Sequence, residues 1–200
     1  MQPPPPGKSK QRLSRSWTTP PPSAHDPYRP WLGDRGSLTA RIAARCREFH
    51  VQRVFQGLRR PHCDEAALVG LHSGRLAHVR EVVLLADDVP VVFAHSIVPP
   101  EDLRGAWRSL GRLGCRPLAS ALFANPRVLR APLEYQRIAR RHPLLECVAE
   151  SGLVARPTLW ARRSLFYLGT RPLLVTEVFL PAILELNARI TVIATGKRDL

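Results

Sequence analysis

Two hundred residues with 44% hydrophobic content suit a single globular domain, and 30 Lys and Arg against 16 Asp and Glu leave a formal charge of +14. The cysteines, Cys46, Cys63, Cys115 and Cys147, form no C-x-x-C pair, and no His pair stands at zinc-ligand spacing, so neither a disulfide framework nor a metal site is expected. The N-terminus lacks the apolar region of a secretory signal, and Leu173–Leu186, the most apolar stretch, is broken by Glu177, Pro181 and Glu185, which predicts a cytoplasmic chain without stable membrane insertion.

The basic excess raises the question of nucleic acid, since clustered Lys and Arg neutralise phosphates. Here the arginines are scattered, with doublets at Arg59-Arg60, Arg140-Arg141 and Arg162-Arg163 and no stacking motif between them, so no nucleic-acid partner is expected. Part of the charge can instead steer an anionic substrate.

Residues 1–30 carry Pro3–Pro6, Pro20–Pro22, Pro27 and Pro30 among polar and basic residues, which reads as a disordered leader preceding a domain over residues 31–200. Ser37 can cap a helix with Leu38, Ile42 and Cys46 on one side, and Phe49–Phe55 reads as a strand ended by Gly57–Pro61. Asp64 can cap a short helical turn over Ala66–Leu71. Leu76–Ala86 and Val91–Val98 form a mostly buried hairpin across Asp87-Asp88. Glu101–Leu113 is a helix closed by Gly114, and Pro117 opens another through Leu122 and Phe123. Val128–Ala139 reads as a strand, and Leu159–Leu168 with Pro172–Leu180 as a hairpin turning at Gly169-Thr170. The whole predicts an α+β single domain, an antiparallel sheet of about six strands with helices on one face.

There is no G-x-G-x-x-G, Walker loop, G-x-S-x-G or H-E-x-x-H, which removes the common nucleotide and metal mechanisms. Charge inside apolar strands is the informative signal: Arg80 and Glu81 precede Val-Val-Leu-Leu, and Glu177 lies within Leu-Leu-Val-Thr-Glu-Val-Phe-Leu-Pro. Such charges are costly unless paired or liganded. Arg80 is either a buried ion-pair partner, with Glu177 as one candidate, or a planar fork for a substrate carboxylate. Glu177 is either that partner or a general acid or base. His95, across the hairpin, is a core histidine or a site residue.

Four blocks together resemble the chorismate pyruvate-lyase family of ubiquinone biosynthesis: WLGDRGSLTARI from Trp31, VREVVLLADDVPVVFAHSIVP from Val79, RPLASALF from Arg116 and WARRSLFYLGTRPLLVTEVFLP from Trp160. The resemblance implies an antiparallel sheet with a product-sized cavity closed beneath two helix-turn flaps. It implies a cofactor-independent lyase that removes pyruvate from chorismate and leaves 4-hydroxybenzoate, acting as a monomer. By similarity, Arg80 clamps the ring carboxylate, the backbone N–H groups of Leu38 and Leu118 line the pocket from the flaps, and Glu177 meets the hydroxyl end of the ring. Ala94-His95 stands where some members have Gly-Arg, which makes His95 a candidate contact for the second carboxylate. The rival reading is a non-catalytic ligand-sensing module of the same fold, as in effector domains of transcription regulators, but the leader supplies no DNA-reading helix-turn-helix.

Overall fold

The structure is a computed structural model that describes residues 17–153 and 156–186. Among them, seven strands form one antiparallel sheet: β1 Phe49–Arg59, β2 Ala77–Ala86, β3 Val89–Val98, β4 Val128–Arg130, β5 Glu134–Ala139, β6 Thr158–Leu168 and β7 Arg171–Phe179. They lie in the order β1-β2-β3-β7-β6, with β4 and β5 following one another along the outer edge of β6. The helices are α1 Arg29–Leu32, α2 Leu38–Ala43, α3 Leu118–Phe123 and α4 Pro143–Glu150.

Both predicted hairpins form, and their turns explain why. Asp87 and Asp88 take φ of 49° and 61°, the double left-handed conformation that a two-residue hairpin turn demands and that Asp tolerates better than most residues. Asp87 Oδ1 also accepts from the backbone N–H groups of Arg47 and Glu48, tying the start of β1 to that turn. Gly169, at φ 62°, turns β6 into β7.

Glu101–Leu113 is not one helix. It forms 3-10 turns at Pro100–Arg104 and Leu110–Arg112, because Gly105 (φ −117°, ψ −116°) leaves helical space and Gly111 adds no propensity to restore it. Val128–Ala139 splits into β4 and β5 around Pro132, which has no N–H for a ladder. The Asp64 carboxylate does not cap the 3-10 turn at Ala66–Val69; it accepts from Trp17 and Arg163 instead.

Helical cover is two-sided, a correction to the one-face expectation. Trp31, Leu32, Leu38 and Ile42 from α1 and α2 pack on Val82, Leu84, Val92 and Phe179. On the opposite face, α4 sets Leu144, Leu145 and Val148 against Val83, Phe93, Ala161 and Val178. Strand alternation requires this: β2 is buried on nearly every residue, so both of its faces need a partner layer. The sequence reading lacks α4, which begins at Pro143 with His142 accepting from the N–H of Leu144.

Residues 1–16 of the expected leader lie outside the described residues, but its second half is docked. Trp17 Nε1 donates to Asp64 Oδ2 at 3.0 Å, Thr18 bridges Tyr135, and Trp160 Nε1 donates to Asp26 Oδ2 at 2.9 Å. Residues 17–30 of the expected leader are thus held by three contacts that their proline content conceals.

Candidate functional site

Sheet register decides which charges meet. One row of cross-strand neighbours runs Val82, Ala94, Glu177, Arg162 and Tyr135, and the next row on the same face runs Arg80, Ser96, Val175 and Ser164. Arg80 and Glu177 thus share a face but stand two strands and two residues apart. Strand spacings of about 4.8 Å and rises of about 3.4 Å put their Cα atoms roughly 12 Å from each other, too far for an ion pair and wide enough for a six-membered ring between the side chains. Of the two alternatives for Arg80, an ion pair with Glu177 does not form.

Between them lies a mostly apolar pocket with charged groups on its lining, the concave and sparsely polar character usual for small-ligand sites. Its floor is the sheet face carrying Arg80, Val82, Ala94 and Glu177, and its roof comes from α2 and α3. Of the predicted residues, Arg80, Leu38, Leu118 and Glu177 line it. His95 does not: it points to the opposite face, because it alternates with Ala94, and a contact to a second carboxylate in this cavity is ruled out for it.

Arg80 is 5% exposed, and its Nη2 donates to the carbonyls of Gly114 at 3.1 Å and Arg116 at 2.9 Å. These bonds hold the segment leading into α3 down on the sheet. Its Nε is buried and has no acceptor among the described residues, so one edge of the guanidinium is left for a ligand. Burial lowers the pKa of this side chain below the ordinary arginine value. A buried cation without a carboxylate is an unpaid charge, and an anionic ligand would compensate it. Leu38 and Leu118 are each the first residue of a six-residue helix, where backbone N–H groups have no intrahelical acceptor. Ser37 Oγ takes the N–H of Ala40 at the first helix; Pro117 supplies no side-chain cap at the second.

Two arginines matter that the sequence reading passed over. Arg162 is fully buried: its Nε donates to Glu177 Oε2 at 2.5 Å, and its Nη1 donates to the carbonyls of Trp31, Leu32 and Asp34 at 2.9, 3.1 and 2.7 Å. One side chain thereby orients the Glu177 carboxylate and pins the α1–α2 flap. Arg130 lines the cavity beneath α3, its guanidinium 5.1 Å from the Phe166 ring centre, with Nη1 on the carbonyl of Arg35 and Nε buried without an acceptor among the described residues. Burial lowers its pKa, and the charge of Glu177 works against that shift. Its bond to Arg35 sets it beside the turn between α1 and α2, whose Asp34 carbonyl is also held by Arg162, the partner of Glu177.

The chorismate lyase family pattern matches residues 14–189. The chain belongs to the chorismate lyase family. Its curated relatives in that family include a protein of Aromatoleum aromaticum described as a probable chorismate pyruvate-lyase, 54% identical over 179 residues, covering 86% of this chain and 96% of the relative. Another of the same description, from Nitrosomonas europaea, is 49% identical over 172 residues, covering 86% of this chain and 96% of the relative. Among solved structures, the effector domain of PhnF from Mycobacterium smegmatis aligns with TM-score 0.50 at 15% identity, covering 73% of this chain and 89% of that one. The PhnF C-terminal domain aligns with TM-score 0.51 at 12% identity, covering 64% and 80%. Those likenesses bear on the fold alone. No helix among the described residues of this chorismate lyase family member is long and apolar enough to cross a membrane.

Proposed function

We propose that this chain is a chorismate pyruvate-lyase, cleaving the enolpyruvyl ether of chorismate to give pyruvate and 4-hydroxybenzoate, the aromatic precursor that enters ubiquinone biosynthesis in the cytoplasm. The observation that carries the reading is the polarity of the cavity: two lining arginines, each with an unused buried donor, and the Glu177 carboxylate on the same lining.

Chorismate has that polarity. Its ring carboxylate lies across the ring from the hydroxyl-bearing carbon, and the enolpyruvyl ether with its own carboxylate sits on the adjacent carbon. Arg80 takes the ring carboxylate, assisted by the N–H groups of Leu38 and Leu118. Arg130 takes the enolpyruvyl carboxylate, and Glu177, held by Arg162, faces the hydroxyl-bearing carbon. The ether C–O bond breaks, its electron pair leaves as the enolate of pyruvate, and the proton on the hydroxyl-bearing carbon departs, making the ring aromatic. The enolate then takes up a proton to become pyruvate. Glu177 handles the ring proton, and Arg130 stabilises the departing enolate.

Such a reaction suits a site made of side chains alone. Orientation supplies up to about 7–11 kcal/mol and a preorganised cation several more, with aromatisation driving the reaction downhill. No cofactor enters the proposal. The purified chain incubated with chorismate should release pyruvate and 4-hydroxybenzoate in equal amounts. Binding of 4-hydroxybenzoate without any turnover would favour the ligand-sensing reading instead.

A further inference from the structure

On the face opposite the cavity, alternation produces a second polar row. Cross-strand neighbours there are Glu81, His95, Thr176, Arg163 and Glu134, the residues one step along from the cavity row. His95 is 2% exposed, and its Nδ1 is 3.1 Å from Glu81 Oε1, while Glu81 accepts from Arg59 at 3.2 and 3.3 Å. This arrangement directs the other ring nitrogen, Nε2, away from Glu81. Nε2 is buried and lies 3.3 Å from Glu65 Oε2, within ion-pair distance but outside hydrogen-bonding alignment, and that oxygen also accepts from the backbone N–H of His62 at 3.0 Å. The imidazole of His62 stacks on that of His95, centroids 5.2 Å apart and planes at 29°, and His62 Nε2 is likewise buried and unpartnered. A ring nitrogen of each histidine and a carboxylate oxygen of Glu65 lie within 4.8 Å of one another. Thr176, the cross-strand neighbour of His95, adds a hydroxyl that is also buried and unpartnered.

An ion-pair network built only for packing would satisfy its donors and acceptors. This one satisfies Glu81 and Nδ1 of His95, gives His95 Nε2 only a poorly aligned approach to Glu65, and leaves His62 Nε2 and the Thr176 hydroxyl turned inward without a hydrogen-bond partner among the described residues. We propose that His62, Glu65 and His95 form a binding site for a divalent transition-metal ion of the zinc class. Two imidazoles and one carboxylate are a zinc donor set, with water for the fourth position, whereas calcium and magnesium call for oxygen ligands throughout. Glu81 is the outer-shell carboxylate that fixes the tautomer of a ligating histidine. Bonds of about 2.0–2.1 Å to a tetrahedral ion put ligand atoms about 3.3 Å apart, the spacing His95 and Glu65 already have, and the His62 nitrogen, within 4.8 Å of both, has to draw closer to complete the set.

The ion would staple the segment carrying His62 and Glu65 to β3 from behind the cavity floor. It would touch neither Arg80 nor Glu177, so its role is structural and separate from the lyase reading. His62 and Glu65 are three residues apart, but His95 is thirty residues further on, which is why sequence spacing predicts no metal site.

The test uses the full chain stripped with a chelator and desalted. On adding Zn²⁺ and desalting again, one ion per chain should remain, Co²⁺ should give the visible absorption of a tetrahedral site, and the melting temperature should rise. His62→Ala and Glu65→Gln should each weaken Zn²⁺ binding by about tenfold or more, and Glu81→Gln by about tenfold through the outer shell. Cys63→Ser and Cys115→Ser should bind as the parent does. His62→Gln, closer in shape, serves if His62→Ala does not fold, and binding of 4-hydroxybenzoate reports a correctly folded cavity in every variant. Absence of retained metal in the parent, or retention that survives in the His62 and Glu65 variants but disappears in a cysteine variant, overturns the site.

Discussion

Replacing Arg162 with methionine tests whether one buried cation holds both the flap and the carboxylate. The substitution keeps much of the volume but removes Nε, the donor to Glu177 Oε2, and Nη1, the donor shared by the carbonyls of Trp31, Leu32 and Asp34. Breaking a buried pair by removing one partner costs about 3–5 kcal/mol, because the other charge stays behind. Glu177 is 17% exposed at its side chain, so water relieves part of that penalty. The three freed carbonyls add to it, at about 1–3 kcal/mol each if they stay dry. These contributions share one side chain and do not sum, and a total near 4 kcal/mol is the reasonable expectation. In a domain of this size about 2–4 °C of melting temperature accompanies each kcal/mol, giving a fall of roughly 8–16 °C. Differential scanning calorimetry reads that fall, and titration with 4-hydroxybenzoate reads the loosened flap as weaker binding. Arg162→Lys, which keeps the charge but not the fork, should fall between parent and Arg162→Met. A melting temperature within about 2 °C of the parent for Arg162→Met, where the estimate requires several times that, would refute the assignment.

Arg80→Lys should weaken 4-hydroxybenzoate binding by at least about tenfold, about 1.4 kcal/mol, in calorimetric titration, while circular dichroism stays that of the parent. Glu177→Gln should depress kcat more than it weakens product binding, and near-normal turnover in the folded variant would take Glu177 out of the chemistry. Arg130→Gln should raise KM for chorismate by about tenfold or more yet leave 4-hydroxybenzoate affinity nearly unchanged, since the product lacks the second carboxylate; equal losses for both would place Arg130 elsewhere. Burial and the charge of Glu81 push the Cys147 thiol up to about 12, so iodoacetamide in mildly alkaline buffer should label the exposed Cys63 and Cys115 while Cys147 reacts only after unfolding, as peptide mass mapping would show.

What the sequence discloses of this site depends on how each charge is framed. Arg80 and Glu177 are legible because each interrupts an apolar run, and burial there demands compensation. Arg162 is not: it sits in an Arg-Arg doublet, which alone reads as surface, and only the register that sets it opposite Glu177 makes it interior. Arg130 is hidden for a related reason, since the mixed segment around it does not reveal that Pro132 ends β4 and leaves the side chain under α3. The two hairpins are predicted well because their turns are local chemistry. The missing helix α4 has a local signal as well, Pro143 at its start and Leu144, Leu145 and Val148 at helical spacing, but the preceding basic pair masks it. The cover of the second face could have been inferred from β2 itself, whose continuous apolar run leaves no face for solvent.

That second face explains how so few residues carry two separate chemistries. Arg80-Glu81, Ala94-His95, Arg162-Arg163 and Thr176-Glu177 are adjacent pairs on four neighbouring strands, and each pair sends one member to the cavity face of the sheet and the other to the polar row behind it. A slip of one residue in any of these strands would exchange the members, burying Glu81 or Arg163 beneath the flaps and turning Arg80 or Glu177 toward α4. Register is therefore a functional variable here, and the two tight turns that set it, Asp87-Asp88 and Gly169-Thr170, determine the site although neither lies in it. The polar row adds a penalty against slippage that an apolar second face could not, because Glu81, His95 and Arg163 find partners only in this pairing. The ionic pattern behind the sheet thus acts on the cavity in front of it by fixing which side chains reach there.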